Sequence, residues 1–129
     1  MKYLLDTCIL INLLKGDTTL QDRIVQIGSE NVFVSDIILA EFYVGPNKRG
    51  DSFFFRQAEW VEREFECVFF RKSYRTYGRI RAYLEKQGNK LDNMDLLIAS
   101  TAIDNDLTLV TSNAKHFSRI PGLKLEVWE

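Results

Sequence analysis

Three carboxylates stand in company that surface acids usually avoid. Asp95 lies in DNMDLLIAS, directly ahead of an apolar run, and Ile98, Ala99 and Ala102 follow on the face it would share in a helix. Glu41 lies in ILAEF, where its neighbours on a helix surface are Ile37, Ile38, Val44 and Gly45, none of them polar. Asp6 sits between KYLL and TCILI. An isolated buried carboxylate is costly and protonates rather than staying charged. Three of them are better explained by a shared divalent cation, since Mg²⁺ or Mn²⁺ takes hard oxygen ligands and relieves their mutual repulsion. Such an ion polarises a phosphate and lowers the pKa of bound water, as phosphodiester hydrolysis requires. A plainer reading stays open beside it, in which each acid is an N-cap or the partner of an arginine. Asp92 and Asp95 even have the spacing of a cap and its third helical residue.

Other catalytic constellations are poorly supplied. Cys8 and Cys67 are the only cysteines and His116 the only histidine, too few to complete a Cys/His zinc site within one chain. Both cysteines lie in apolar surroundings, TCILI and ECVFF, and are expected to be buried, reduced thiols. A Cys–His or Ser–His–Asp catalyst would have to use His116 in NAKHFSRI, which has no nucleophile elbow near it, so a surface or half-buried histidine is expected. Any catalysis falls to the carboxylates.

The elements that must position these acids alternate. KYLLD reads as a short strand, TCILINLLKG as a helix ended by Gly16, and TLQDRIVQIG as a helix with Leu20, Ile24 and Ile27 on one face. NVFVS is a second strand, and Ser35 can cap the helix DIILAEFYV, which Gly45-Pro46 is expected to stop. After a polar loop containing Lys48-Arg49-Gly50, residues 52–65 read as helix and ECVFF as a third strand. SYRTYGRIRAYLEKQG is a helix ending at Gly88, and MDLLIASTAIDND is apolar nearly all round and therefore buried. LTLVT, a short helix or turn in NAKHFSRI, and the strand LKLEVW complete the chain. This alternation predicts an α/β fold with a mainly parallel central sheet of about five short strands flanked by helices. In such sheets sites form beyond the strands' C-terminal ends, where Asp6, Ser35-Asp36 and Thr111-Ser112-Asn113 all fall.

Composition bounds the rest. The chain has 129 residues, room for one domain (1–129) with a real core, and its 46% hydrophobic and 27% charged content suits a soluble globular protein. No uncharged run exceeds eight residues, too short to span a bilayer. Lys2 precedes apolar residues as in a secretory leader, but Asp6 interrupts them and no small-residue cleavage site follows, so a cytoplasmic protein is expected. The net charge of −1 is unevenly spread. Residues 71–90 carry seven Lys or Arg against Glu85 alone, for a net of +6. Arg75, Arg79 and Arg81 in that stretch are candidates to hold phosphates, although a solvated helix face balancing the acids from Glu59 to Glu66 is an equal alternative.

LLDTCILI, ILAEF, NMDLLIASTA and LTLVTSNAKHFSRIPGLKLEVW, in that order, make the whole chain resemble the PIN-domain proteins, and among them the VapC-type toxins of toxin–antitoxin pairs. The resemblance implies a metal-dependent endoribonuclease using Mg²⁺ or Mn²⁺, with Asp6, Glu41 and Asp95 as the catalytic and metal-binding acids. A further acid is frequent in this family at the T-x-D position after the fourth strand. Here TSN places Asn113 there, an amide that can bind the cation or its water but brings no charge, which argues against a second tightly held ion. Thr7 and Thr111 would be hydroxyl supports, while Asp92 matches no catalytic position and is left to capping.

The resemblance also implies a homodimer, a VapB-type antitoxin as partner, and DNA contact only through that antitoxin. Tyr43, Val44, Phe53, Phe54, Phe55 and Trp60 concentrate more large apolar groups than so small a domain easily buries, as an interface would, or they fill the core. An arginine of the partner could enter the acidic pocket. Two other classes compete. A response-regulator receiver would need paired acids after the first strand and an aspartate after the third, and KYLLDT and ECVFFRKSY provide neither. A PIN-like protein that acts through a partner without catalysis would keep the fold, and only a cleavage assay separates it.

Overall fold

A computed structural model describes residues 1–128 of the chain. Five strands, β1 (Tyr3–Leu5), β2 (Val32–Ser35), β3 (Glu66–Val68), β4 (Thr108–Val110) and β5 (Lys124–Glu126), form one sheet in the order β3-β2-β1-β4-β5. Every pairing is parallel, with Tyr3 opposite Val32 on one side and Thr108 on the other. A parallel sheet needs a crossover between neighbouring strands and is covered on its faces, so its inner strands are apolar throughout. The residues of β2 and β4 are accordingly all buried, as are Leu4 and Leu5 of β1.

Eight helices make the crossovers: α1 (Thr7–Leu14), α2 (Thr18–Ile27), α3 (Asp36–Phe42), α4 (Val44–Arg49), α5 (Ser52–Glu64), α6 (Tyr74–Lys86), α7 (Asn93–Asp104) and α8 (Ala114–Phe117). Side-chain caps set several starts: Asp6 for α1, Asp17 for α2, Ser35 for α3, Asp51 for α5 and Asp92 for α7. The Ser35 cap, Ile38 N–H to Ser35 Oγ at 3.1 Å, is as expected from the sequence. One core runs from Leu4, Leu5 and Val34 through Ile38, Leu96 and Ile98 to Phe117. Ser100 and Thr101 are buried inside it, and each donates its hydroxyl to the carbonyl four residues back, Leu96 and Leu97. Helix α7 can therefore be buried although it is not purely apolar.

The strands are shorter than the sequence reading expects, LKLEVW for instance contributing only Lys124–Glu126, and two boundaries change the course of the chain. Gly45-Pro46 does not stop the chain's helical course. Helix α3 ends at Phe42, Tyr43 turns, and α4 begins at Val44 with Pro46 as its third residue. A first-turn proline loses nothing, because its missing N–H would have had no partner within the helix. Lys48 and Arg49 thus belong to the last turn of α4, and Gly50 ends it at a left-handed φ of 65°. The third strand is shorter than ECVFF, stopping at Val68 and leaving Phe69 46% exposed ahead of a 3-10 turn at Arg71–Ser73.

The strand order has one consequence for a site. From β1 the chain builds outward through β2 to β3, then returns to add β4 and β5 on the other side of β1. The crossovers leaving β1 and β4 therefore diverge, which opens a crevice beyond the C-terminal ends of those two strands. Asp6 and Thr111 are the residues that follow them.

Candidate active site: an acidic pocket where the sheet order reverses

Asp6 extends the ladder one residue past β1, its N–H donating to Val110 O at 2.9 Å. Its carboxylate is fixed at both oxygens. Oδ1 accepts the Thr7 N–H at 2.9 Å, and Oδ2 accepts the Thr111 hydroxyl at 2.8 Å. Thr111 is fully buried and its Oγ1 also accepts the Asn113 N–H at 3.0 Å, so its one proton is committed to Asp6. The two crevice strands are tied together through this pair.

Glu41 arrives from α3, which packs between α1 and α7. Its Oε1 accepts the Thr7 hydroxyl at 3.2 Å, so Thr7 serves Asp6 through its backbone and Glu41 through its side chain. Burial is the main cause that holds the Glu41 carboxyl above the usual range; the Thr7 bond opposes it, and the charges of Asp6, Asp95 and Asp92 add to the rise. Asp95 lies in the first turn of α7. Burial again raises its pKa most, the charge and hydrogen bond of His116 oppose this, and Asp92 and Asp6 push it further up. Acids far apart in sequence thus lie close enough for Asp6 and Asp92 to act on both Glu41 and Asp95. Asp92 caps α7 through the Met94 N–H at 2.8 Å, and its carboxylate adds charge at the rim.

His116 is the residue that sequence reasoning missed. Its Nε2 lies 2.9 Å from Asp95 Oδ2, with the ring 39% exposed and the aspartate side chain 24%. The only signal in the sequence was its place three residues after Asn113, in the segment that follows β4. Cys8 also differs from expectation. Both cysteines are free and half-buried, but Cys8 Sγ accepts the Ser112 hydroxyl at 3.1 Å and stands 3.7 Å from Asp6 Oδ2, on the polar side of its helix. Asn113 is exposed; its backbone joins the Thr111 network and its side chain makes no bond to the three acids.

The donor set fits a hard divalent cation. Its side chains offer carboxylate oxygens, and two of the three acids are held above their ordinary range by burial and like charge, a state that a dication reverses. Among the described residues no three His, Cys, Asp or Glu side chains are already drawn together as a ligand cluster. Each acid instead has a partner of its own: Thr111 for Asp6, Thr7 for Glu41 and His116 for Asp95.

A groove of about 520 Å³ adjoins the pocket, running from Thr7 and Glu41 over Phe42 and Pro46 to Phe53 and Phe54. Of the apolar surplus noted in the sequence, Phe53 and Phe54 line this groove, Val44 and Trp60 are exposed outside it, and Tyr43 and Phe55 are half-buried. Arg75 and Arg79 stand exposed on α6. Arg81 is engaged by Glu85 at 2.7 Å and by the Tyr77 hydroxyl at 3.0 Å. Tyr77 in turn donates to Asn93 Oδ1 at 3.3 Å, at the start of the helix that carries Asp95.

The PIN-domain family model matches residues 3–123. Over its whole length the chain is 34% identical to ribonuclease VapC2 of Rickettsia felis, 99% of which it covers. A crystal structure of VapBC2 from Rickettsia felis bound to a fragment of promoter DNA contains a chain that superposes with a TM-score of 0.92, at 34% identity over 100% of both chains. A chain of DNA-bound VapBC from Salmonella typhimurium superposes with a TM-score of 0.91, at 27% identity over 100% of this chain and 99% of that one. With its sheet order, its acidic crevice and these relatives in agreement, the chain belongs to the PIN-domain family and, within it, to the VapC-type proteins.

Proposed function

We propose that this protein is a divalent-cation-dependent endoribonuclease, the toxin of a VapBC-type pair. The observation that carries the reading is that Asp6, Glu41 and Asp95, from three different elements, are tied into one network at the crevice between β1 and β4 through Thr7, Thr111 and His116, with Glu41 and Asp95 held above their ordinary range by burial and neighbouring carboxylates. These residues would hold Mg²⁺ or Mn²⁺, which when bound activates water and stabilises charge on phosphoryl oxygens. The chain's own residues do the positioning. Thr111 fixes Asp6, and Thr7 engages only Oε1 of Glu41, leaving Oε2 to face a ligand or accept a proton. Asn113 lies at the exposed end of the same turn, where its amide can bind substrate or ordered water. Arg75, Arg79 and Arg81 hold RNA phosphates on α6; Arg81 keeps guanidinium N–H groups beyond its two internal bonds. Among the described residues no helix is long and apolar enough to cross a membrane, and the cytoplasm is where such a nuclease would meet RNA.

The partner reading rests on the groove and on the VapBC relatives. A VapB-type antitoxin would lay an apolar segment along Phe53 and Phe54 and bring an arginine to Glu41, and any DNA contact would belong to that antitoxin. The toxin itself would work as a dimer of the 15.0 kDa chain.

Purified protein should cut RNA in the presence of Mg²⁺ or Mn²⁺ and leave 5′-phosphate and 3′-hydroxyl ends, as attack of water on phosphorus with breakage of the P–O3′ bond and protonation of the departing 3′ oxygen gives. Asp6→Asn, Glu41→Gln and Asp95→Asn should each lower the rate by roughly 100-fold or more, on the order of removing one stabilising group from a transition state, with far-UV spectra unchanged. EDTA should do the same. Cleavage by Asp95→Asn at the wild-type rate, or cyclic-phosphate ends, would rule the mechanism out and favour the non-catalytic reading.

The pocket should also be a burden on the metal-free fold. A carboxyl held above its unfolded value leaves the folded chain with more bound protons over that window, so stability falls as pH rises through it. Glu41→Gln is therefore expected to raise the Tm of metal-free protein at pH 7. The gain should vanish as pH falls below the ordinary glutamate pKa of about 4.3. A gain that persists in acid would trace to something other than the Glu41 charge.

RNA binding measured against salt should show a slope that drops by roughly 0.7 for each single-strand phosphate that the protein no longer neutralises. Replacing Arg75, Arg79 and Arg81 by Gln, singly and together, tests this directly. An unchanged slope would make that helix face a solvated surface only.

Co-expression with the small protein encoded beside it should yield a stable complex, with light scattering showing a dimeric toxin. Phe53→Glu should abolish co-purification without affecting RNA cleavage by the free toxin. A monomer in every sample and no co-purifying partner would remove the toxin assignment while leaving the nuclease site in place.

A further inference from the structure

We infer that His116 is a positioning residue of the acidic pocket: it holds Asp95 Oδ2 and leaves Oδ1 as the oxygen available to the cation. The inference rests on the reading of Asp95 as a cation ligand. The contact is a short one, Nε2 to Oδ2 at 2.9 Å, and a neutral imidazole is sufficient to make it, with Nε2 donating its proton. The backbone that carries the ring is itself held: the His116 main-chain N–H donates to Asn113 O at 3.0 Å, and the adjoining Phe117 is buried at 1% exposure with its ring edge-on to the imidazole, 6.1 Å between centroids. His116 is the more exposed partner of the pair.

The same short segment serves two of the three acids. Thr111, at its start, donates to Asp6 Oδ2, and the chain turns at Asn113 to bring His116 onto Asp95. A carboxylate free to rotate must lose that freedom when it binds a cation. One whose second oxygen is already bonded has lost it beforehand, which is why hydrogen-bond partners of a ligating group commonly govern affinity by roughly 10–100-fold. Asp6 and Glu41 receive this support from threonines. His116 gives it to Asp95.

The test is Mn²⁺ binding to the full chain, followed by the free-ion electron paramagnetic resonance signal at one fixed pH and salt concentration, so that no turnover is involved. H116A is expected to weaken binding by about tenfold or more. H116Q, whose amide nitrogen can occupy the place of Nε2, should recover most of the affinity, and H116N, which is too short, should not. If H116A proves unstable, the contrast between H116Q and H116N still decides. D95N serves as the reference. If D95N weakens binding while H116A binds Mn²⁺ as tightly as wild type or more tightly, the inference is overturned, because the ring is then a bystander or a competitor. If D95N leaves binding unchanged, the reading of Asp95 as a ligand fails and takes the inference with it.

Discussion

Like charges gathered at the mouth of an apolar core are the constraint on which this structure turns. Two carboxylates about 4 Å apart repel by roughly 4 kcal/mol at the effective dielectric typical of such sites, and burial removes the water that would screen them. Glu41 and Asp95 register both effects in their raised proton affinities. A fold that accepts this charge needs a scaffold that holds each acid in place without a permanent counter-ion. The scaffold here is assembled from hydroxyls, backbone N–H groups and one imidazole, all of which bind a carboxylate without filling the centre of the pocket.

The sheet supplies the place and the helices supply the directions. Because β1 is flanked by β2 on one side and β4 on the other, the crossovers leaving β1 and β4 part from each other, and the gap falls at Asp6 and Thr111. Helix α3 follows β2 and lies between α1 and α7, so its last turn can bring Glu41 to Thr7 while Ile38 is fully buried beneath. Asp95 needs only to be in the first turn of α7, where the positive end of the helix dipole also favours a negative charge. The two threonines link these devices. Thr7 and Thr111 each couple one acid to a neighbouring element, so a shift of α1 or of the β4–α8 turn would move the carboxylates with it.

What can be read from the sequence follows from which signals are local. Glu41 and Asp95 stand out in the sequence because an acid with apolar neighbours at helical spacing is unusual and that spacing is local, whereas Asp6 at a strand end reads equally as the N-cap that it forms for α1. The strand and helix alternation is legible for the same reason, and with it the parallel sheet. The course of the chain at Gly45-Pro46 is not, since a proline that breaks a helix and one that sits in a first turn look alike until the preceding turn at Tyr43 is seen. The tie between His116 and Asp95 spans two elements that meet only in the folded chain. Nothing in NAKHFSRI distinguishes that histidine from one in solvent. Cys8 misleads because its helix neighbours are apolar while the groups above it, Ser112 and Asp6, come from the crevice. The Arg81–Glu85 pair, by contrast, has the four-residue spacing of a helix ion pair and is open to reading from sequence.

Glu41 belongs to both the acidic pocket and the apolar groove, and this shared residue bears on how activity would be controlled. The repulsion in the pocket can be relieved by a dication or by a guanidinium, since either brings positive charge and both meet carboxylate oxygens well. The two solutions exclude each other when they use the same carboxylate. Under the proposed function, a dication would leave the groove untouched and the nuclease competent. A guanidinium presented by a segment lying along Phe53 and Phe54 gains apolar burial from the groove as well as the charge pairing, so the segment can outcompete an ion that has only the pairing. Inhibition then needs no distortion of the fold. The carboxylates whose burial and mutual repulsion raise their proton affinity are the same groups that either occupant would use.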